Sequence, residues 1–258
     1  MARQSTSQIE KGLNSASRTG LLADKVVVVT GAGRGIGRAI AIAYAKAGAT
    51  LVVCARTKSE LDVTVKLIEA SGGCASLFVC DVSEYDQMQA LFRYAETMYA
   101  GVDMVLANAG VAGNFLRLHE SIPKDWRRSI EVNVIGVYNT IHAATPYLRK
   151  RGGGKIIVMG SGTRYRANIG RSDYASAKSA AWMMVQILGL ELQEFNISVN
   201  ELIPGPVKTA LTQFGERKFS PGEWIKEPED VVPMALFLAS QPDNGPTSQS
   251  FSLMRRAP

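Results

Sequence analysis

Eight residues near the start of the chain constrain its fold more than any other stretch. They run from Thr30 to Gly37, read TGAGRGIG, and follow the β-branched run Lys25 to Val29. Such a run suits a strand that is buried on both faces. The alanine-rich stretch from Arg38 to Gly48 has helical spacing, and Gly48 is well placed to end a helix. A strand, a glycine turn and a helix in this order predict a dinucleotide site.

The residue after the second predicted strand points to the type of dinucleotide. The glycine spacing is Thr-Gly-x3-Gly-x-Gly rather than Gly-x-Gly-x-x-Gly, and glycines also serve tight turns without a ligand. Thr50 to Ala55 is followed by Arg56, where an acid that binds a ribose hydroxyl is expected. The guanidinium of Arg56 can pair with a 2′-phosphate, and Arg34 offers a second cation. This favours NADP over NAD, the alternative being that both arginines are solvated loop charges.

A tyrosine and a lysine four residues apart are candidates for proton transfer. Tyr174 and Lys178 begin a helix-like stretch that continues through Ala180 to Leu192, so their side chains share one face. A neighbouring ammonium favours the phenolate form of a tyrosine, so the pair can exchange a proton with a carbonyl oxygen. Such a pair also occurs by chance on many helices, and a purely structural role remains the alternative.

Taken together, the glycine turn and the Tyr-x3-Lys pair resemble the short-chain dehydrogenase/reductase family in its compact form. The resemblance covers nearly the whole chain after Leu21. Within the family, the chain is similar to 3-oxoacyl-[acyl-carrier-protein] reductase-like members. That family has a serine thirteen positions before the tyrosine, where this chain has Ser161. The resemblance implies an α/β, single-domain Rossmann fold with a doubly wound, mostly parallel, seven-stranded sheet and helices on both faces.

The resemblance also implies which residues form the site. The implied catalytic residues are Asn133, Ser161, Tyr174 and Lys178. The residues implied to bind the cofactor are Gly31, Arg34, Gly35, Ile36, Gly37, Arg56, Asp81, Val82, Asn108, Ala109, Gly110, Tyr174, Lys178, Pro204, Gly205, Val207 and Thr209. The chain departs from the family pattern at Ala107, where an asparagine that contributes mainly to strand packing is usual.

The implied reaction is hydride transfer between the cofactor and a carbonyl carbon, with Tyr174 as the proton donor or acceptor. Ser161 would orient the substrate oxygen, Lys178 would hold the nicotinamide ribose, and Asn133 would hold a relay water. We therefore predict an NADP-dependent reductase of a 3-oxoacyl thioester or a small carbonyl compound. The alternatives are an alcohol, polyol or sterol dehydrogenase working oxidatively and a cofactor-binding regulator without turnover.

Three arginines and a following segment bear on the substrate. Arg164, Arg166 and Arg171 lie in a stretch that borders the substrate pocket in the family, which suggests an anionic or carrier-linked substrate, although loop arginines more often face water. Ala210 to Glu227 corresponds to the family's substrate-covering segment, and its two glycines and Pro221 favour a mobile lid. The aromatic residues available there to line the substrate or to seal the core edge are Phe214, Phe219 and Trp224.

Composition agrees with one α/β core, since the chain has 258 residues, of which 46% are hydrophobic and 20% charged. We expect one domain over residues 21–258 and a flexible extension over residues 1–20, which lack apolar periodicity. We expect a cytoplasmic protein without a membrane span, although the extension leaves a mitochondrial transit peptide open. The net charge of +6 is scattered along the chain, so we expect no nucleic-acid partner.

The remaining expectations concern metals and assembly. Cys54, Cys74 and Cys80 show no metal-binding spacing with the two histidines, so we expect reduced thiols and no metal site. The resemblance implies a homotetramer, or a homodimer, formed through the helices after Asn108-Ala109-Gly110 and after Tyr174. The apolar stretch Ala180 to Leu192 suits burial between subunits or against the chain's own sheet.

Overall fold

The computed structural model describes residues 19–165, 167–212 and 223–254. Its strands are β1 (Val26–Thr30), β2 (Thr50–Ala55), β3 (Cys74–Val79), β4 (Met104–Ala107), β5 (Gly154–Met159), β6 (Ile197–Ile203) and β7 (Ser250–Ser252). Its α-helices are α1 (Gly35–Lys46), α2 (Lys58–Ala70), α3 (Tyr85–Tyr99), α4 (Pro123–Ile130), α5 (Gly136–Lys150), α6 (Ser172–Leu192) and α7 (Val232–Ser240). The predicted N-terminal extension lies outside the described residues, apart from its last two.

All seven strands belong to one parallel sheet in the order β3-β2-β1-β4-β5-β6-β7. The chain builds outward from β1 to β3 and then returns to place β4 on the other side of β1. The connections on the two sides of this point run in opposite directions, so a crevice opens at the carboxyl ends of β1 and β4. The predicted doubly wound sheet of seven strands is therefore confirmed.

Two apolar layers cover the two faces of the sheet. On one face, α3, α5 and α6 pack against alternate strand residues such as Val28 and Val105. On the other face, α1, α2 and α7 pack against Val27 and Leu51. Because both faces are covered, the central strands read as continuous apolar runs rather than as alternating patterns.

The predicted strand bounds agree closely with the observed ones. Strand β2 coincides with its prediction, and the bounds of β1 differ from the predicted ones by one residue. Helix α1 begins at Gly35 rather than at Arg38, because its hydrogen bonds begin within the turn, where the Arg38 N–H donates to the Arg34 carbonyl at 3.4 Å. Gly48 follows the end of this helix with a left-handed φ of +100°, as predicted.

The three cysteines are free, and Cys54 and Cys80 are buried. A hydrogen bond with Cys80, followed by burial, raises the pKa of the Cys54 thiol well above its ordinary value. Across residues 19–165, 167–212 and 223–254, no group of three or more His, Cys, Asp and Glu side chains is placed to hold a metal ion. Over the same ranges, none of the helices combines the length and apolar character needed to cross a membrane.

The fully buried Tyr44 joins two helices on one face of the sheet. Its hydroxyl on α1 donates a hydrogen bond of 2.9 Å to the carbonyl of Ala235 on α7. We predict that Tyr44→Phe lowers the free energy of unfolding by about 1 kcal/mol in urea denaturation, because this buried hydrogen bond is lost. The control is Tyr138→Phe at a side chain that is 45% exposed, where we expect a change below about 0.5 kcal/mol. Equal stability of the two variants would contradict the prediction.

Candidate active site

A cavity of about 490 Å³ lies at the carboxyl ends of the strands. Its walls come from the segments that follow β1 to β6, which is where open α/β sheets bind ligands. All of the residues predicted from the sequence as catalytic or cofactor-binding line this cavity. The structure therefore brings together residues that are up to about 180 positions apart in the chain, from Gly31 to Thr209.

The glycine turn packs too closely against β4 for side chains. Gly31 has a left-handed φ of +65°, and a Cβ there would come within 2.8 Å of the Ala109 Cα. A Cβ on Gly37 would lie 2.4 Å from the Gly31 carbonyl oxygen and 2.5 Å from Nδ2 of Asn108. Helix α1 starts within this turn, and its first residues, Gly35 to Gly37, line the cavity. The first N–H groups of a helix have no partner within the helix, and the first turn of α1 has no acidic residue. This arrangement fits the pyrophosphate of a dinucleotide.

A set of hydrogen bonds holds the end of β1 to the segment after β4, and we call it the Thr30–Asn108 joint. Oγ1 of the buried Thr30 accepts hydrogen bonds from the backbone N–H groups of Asn108 and Ala109, at 3.0 and 3.1 Å. Nδ2 of Asn108 donates to the carbonyls of Thr30 and Gly31, at 3.0 and 3.2 Å. The sequence analysis placed Thr30 at the start of the glycine motif but assigned it no role in the site. The joint fixes the glycine turn against the opposite wall of the crevice.

Two arginines at the cavity wall have carboxylate partners that a phosphate can replace. Arg34 lies 3.4 Å from Glu60 and Arg56 lies 3.9 Å from Asp81, with side chains that are 65% and 61% exposed. Ion pairs this exposed stabilise the fold little, so they are easily exchanged. Glu60 also lines the cavity, and no sequence motif marked it.

Asp81 is held ionised by its neighbours. Partial burial opposes ionisation, but hydrogen bonds from Ser83 and from Arg128 lower the pKa of Asp81 below its ordinary value of 3.8. The N–H and the hydroxyl of Ser83 both donate to Oδ1, at 3.0 and 2.7 Å, and the Arg128 guanidinium donates to Oδ2. Arg128 lines the cavity as well. Arg128 was not predicted from the sequence, because it lies on α4 and belongs to none of the motifs.

Tyr174 and Lys178 lie on the first two turns of α6, as predicted from their spacing. The Lys178 side chain is buried, and its Nζ donates a hydrogen bond of 2.8 Å to the carbonyl of Met159 at the end of β5. This Nζ lies 5.8 Å from the centre of the Tyr174 ring. The helix spacing and the strand end together fix a cation beside the phenol.

Asn133 occupies a turn of π-helix, residues Glu131–Ile135, between α4 and α5. Its side chain is fully buried, and Nδ2 donates to the carbonyls of Ser129 and Val111, at 2.9 and 3.0 Å. Oδ1 accepts a hydrogen bond of 3.2 Å from the Val111 N–H. A π-turn widens the helix locally, and such turns are frequent at functional sites. The turn places this amide at the cavity wall beside the segment that follows β4.

Ser161 follows β5 directly and is held by its own loop. Its Oγ lies 3.0 Å from Oγ1 of Thr163 and accepts a hydrogen bond of 3.3 Å from the Thr163 N–H. The next residues, Gly162–Tyr165, form a short 3₁₀ turn. The position of the serine hydroxyl therefore depends on how this turn is anchored.

The three arginines that suggested an anionic substrate have different surroundings. Arg164 does not line the cavity and points inward to Glu201, so the substrate-contact hypothesis is wrong for this residue. Arg171 does line the cavity, and its guanidinium lies 3.7 Å from the centre of the Phe115 ring and 5.1 Å from that of Tyr174. Arg166 lies outside the described residues.

The segment predicted to be a lid is described at its two ends. Backbone hydrogen bonds from Lys208 to Lys226, at 2.8 Å, and from Lys226 to Pro206, at 3.0 Å, bring these ends together. Glu223 lines the cavity, whereas Trp224 is 50% exposed and does not. Burial lowers the pKa of Lys226, whose Nζ donates to the Trp224 carbonyl at 3.0 Å. Phe214 and Phe219, with the rest of residues 213–222, lie outside the described residues.

Comparisons with known proteins agree with this geometry. The family model of the short chain dehydrogenases matches residues 25–218. The chain is 34% identical to 7alpha-hydroxysteroid dehydrogenase of Escherichia coli K12 over 224 residues, which cover 84% of this chain and 87% of that protein. It is 32% identical to the 3-oxoacyl-[acyl-carrier-protein] reductase FabG of Thermotoga maritima over 237 residues, covering 88% and 95%. A gluconate 5-dehydrogenase structure from Burkholderia cenocepacia with NADP and tartrate superposes with a TM-score of 0.82 at 28% identity, covering 89% and 93%.

The chain therefore belongs to the short-chain dehydrogenase/reductase family of oxidoreductases. Proteins of this family bind nicotinamide cofactors and small-molecule substrates. The resemblance inferred from the glycine turn, Ser161 and the Tyr-x3-Lys pair is confirmed.

The close packing of Gly37 generates a test of the cofactor site. We predict that Gly37→Ala weakens NADPH binding at least about tenfold in a fluorescence titration, because the new Cβ displaces α1 from the turn. The matched control is Gly72→Ala, where a Cβ meets nothing within 4 Å. Its left-handed φ of +79° costs stability, but we expect NADPH affinity to stay unchanged. An equal loss of affinity in both variants would contradict the proposed packing.

Proposed function

We propose that this protein is an NADPH-dependent reductase of ketones. The observation that carries the proposal is the lining of one cavity by two groups of residues. The first group is the glycine turn with Arg34 and Arg56, which suits a phosphorylated dinucleotide. The second group is suited to proton transfer to a carbonyl oxygen, and it comprises Asn133, Ser161, Tyr174 and Lys178.

The residues around the cavity fit a nicotinamide dinucleotide along its whole length. The turn between β1 and α1 would hold the pyrophosphate, because its backbone N–H groups face the cavity and its glycines leave room. Asp81 and Val82 would border the adenine, and Asn108 to Gly110 would lie beneath the dinucleotide. The segment from Pro204 to Thr209 would contact the nicotinamide end. When bound, the nicotinamide supplies a hydride or takes one up.

Arg56 and Arg34 support NADP rather than NAD as the cofactor. A 2′-phosphate would replace the carboxylates of Asp81 and Glu60 as partners of these exposed cations, and a charge-assisted hydrogen bond to a guanidinium is strong. The chain has no acid at position 56 to accept a hydrogen bond from a ribose hydroxyl. Glu60 also lines the cavity, but its carboxylate is paired with Arg34, which offsets its charge.

The proton chemistry follows from the neighbours of Tyr174. Its hydroxyl would donate a proton to the carbonyl oxygen during reduction, while the Lys178 ammonium stabilises the phenolate that remains. Ser161 would hydrogen-bond the same oxygen and orient it. Asn133 would hold a water beside Lys178, through which the proton is replaced from solvent.

The relatives suggest two substrate classes. The 3-oxoacyl-[acyl-carrier-protein] reductase supports reduction of a 3-oxoacyl thioester or of a small carbonyl compound, which is our preferred function. Arg171 at the cavity wall is compatible with an anionic substrate. The 7alpha-hydroxysteroid dehydrogenase, at 34% identity, supports the second candidate, which is oxidation of a sterol alcohol. A regulator without turnover is disfavoured, because the four proposed catalytic residues are all present at the cavity.

We further propose that the chain acts in the cytoplasm as a homotetramer or homodimer. Exposed apolar side chains on α6, at Met183, Ile187 and Leu190, support burial of this helix between subunits. Ile135, just before α5, and Tyr138 in its first turn extend the exposed apolar surface to the second helix implied in assembly.

Removing the phenol hydroxyl tests the proposed mechanism. We predict that Tyr174→Phe lowers kcat for ketone reduction about 100-fold or more, because the proton donor is lost, while the Kd of NADPH changes less than about twofold. Turnover is followed at the nicotinamide absorbance, and binding by fluorescence. Tyr138→Phe is the control and should keep the activity of the wild type. Unchanged turnover in Tyr174→Phe would refute the mechanism.

Reversing the charge at Arg56 tests the cofactor preference. We predict that Arg56→Asp changes the ratio of kcat/KM for NADPH to that for NADH by about tenfold or more toward NADH, because a charge-assisted contact to the 2′-phosphate is lost. Arg93→Asp makes the same change of charge on the exposed face of α3 and should leave the ratio unchanged. A ratio that Arg56→Asp does not alter would place the phosphate contact elsewhere.

A further inference from the structure

We propose that Arg164 and Glu201 form a buried ion pair that positions Ser161, and we call the pair the Arg164–Glu201 clamp. The inference rests on the proposed function, because it assigns a positioning role toward the serine of that site. Neither residue lines the cavity, so the clamp contacts neither substrate nor cofactor. It acts on the loop that carries the serine.

The clamp joins the turn after β5 to two strands, β6 and β7, that come later in the sequence. Nη2 of Arg164, on the turn after β5, donates a hydrogen bond of 2.9 Å to Oε2 of Glu201 on β6. The same Nη2 lies 2.9 Å from Oγ of Ser250 on β7, and this hydroxyl donates to the Glu201 carboxylate at 2.6 Å. A single guanidinium therefore fixes the turn after β5 to the edge of the sheet.

Two aromatic rings pack against the Arg164 guanidinium. The Arg164 guanidinium lies 4.1 Å from the centre of the Tyr165 ring and 4.6 Å from that of Trp182 on α6. It also donates a hydrogen bond of 2.7 Å to the Tyr165 hydroxyl. The side chain of Arg164 is 8% exposed and that of Glu201 1% exposed. The pair is thus almost completely removed from water, and α6, which also carries Tyr174, forms part of its surroundings.

The burial of this pair is expensive, which argues for a role beyond stability. Removing two charges from water costs about as much as their attraction returns, and apolar replacements are often equally stable. Within the part of the chain that the structure describes, Oε1 of Glu201 and Nε of Arg164 have no hydrogen-bond partner, which adds to the cost. A pair of apolar side chains would hold the fold as well. What the charged pair adds is a fixed direction for the turn that follows Ser161.

The connection from the clamp to the serine is short. Ser161 lies three residues before Arg164, and Thr163, which donates its N–H to the serine Oγ, directly precedes Arg164. Gly160, on the other side of the serine, faces Glu201 so closely that a Cβ would lie 2.1 Å from Oε1. The two members of the clamp therefore bracket Ser161. A shift of either member displaces the serine hydroxyl from the place where a substrate oxygen would bind.

The test compares stability with turnover in paired variants. Arg164→Met alone leaves Glu201 buried without its cation, so the main variant is Arg164→Met with Glu201→Leu, which removes both charges. We expect its urea midpoint to stay near that of the wild type, its kcat to fall about tenfold or more, and the Kd of NADPH to change less than about twofold. The single variant Arg164→Lys keeps a positive charge beside Glu201, so its kcat should fall less than that of the paired variant. A kcat equal to that of the wild type would overturn the proposal.

A cycle with Ser161→Ala shows whether the clamp acts through the serine. In that background, we expect the paired clamp variant to lower kcat further by less than about threefold, because the group that it positions is already absent. If the kcat losses of Ser161→Ala and of the paired clamp variant multiply when combined, the clamp does not act through the serine, which would overturn the proposal. If Ser161→Ala keeps the kcat of the wild type, the serine role in the proposed function is wrong and the clamp cannot act through it.

Two further measurements separate positioning from general damage. Arg151→Met breaks the Arg151–Asp103 ion pair of 3.0 Å at the opposite ends of the strands and should lower the urea midpoint without lowering kcat. A crystal structure of the paired clamp variant gives a readout that does not require turnover. We expect Ser161 Oγ to leave its position beside Thr163, and an unmoved serine would overturn the proposal even if the protein reduces no ketone.

Discussion

The Thr30–Asn108 joint is the interaction on which the rest of the site depends. Strands β1 and β4 are neighbours in the sheet, but the chain places three helices and two strands between them. A buried threonine hydroxyl and an asparagine amide then hold the two strand ends together at the point where the strand order reverses. Since the glycine turn follows one end and the cavity-lining residues Asn108 to Gly110 follow the other, this joint sets the width of the crevice. The contacts proposed for the dinucleotide all presuppose that width.

Much of the fold could be predicted from the sequence, because strands that are buried on both faces are continuous apolar runs. The apolar run of β2 was predicted with its exact bounds, and Tyr174 and Lys178 lie on one helix face as their spacing required. The order of the strands was less accessible. Nothing in β1 or β4 alone specifies that they pair, so the family resemblance supplied the expectation of seven strands and only the structure gives their order.

Contacts between side chains that are distant in sequence could not be predicted from the sequence. Arg164 was expected near the substrate because of its place between Ser161 and Tyr174, yet the partner that turns it inward, Glu201, lies on another strand. Arg128 and Glu60 line the cavity from helices that carry no motif. A charge on a loop has many possible directions, and only the packed neighbours decide among them. The clamp shows the consequence, since the same residue becomes support for the site instead of part of its wall.

We propose that one crevice joins an NADPH site to a proton-donating tyrosine. The most direct test is the oxidation of NADPH and of NADH by the wild-type protein, followed at the nicotinamide absorbance, with a panel of 3-oxoacyl thioesters, small diketones, oxo-steroids and sugar-derived keto acids. We expect turnover of at least one ketone with NADPH and a lower kcat/KM with NADH. Tight NADPH binding without turnover of any member of the panel would contradict the account and favour a cofactor-binding regulator.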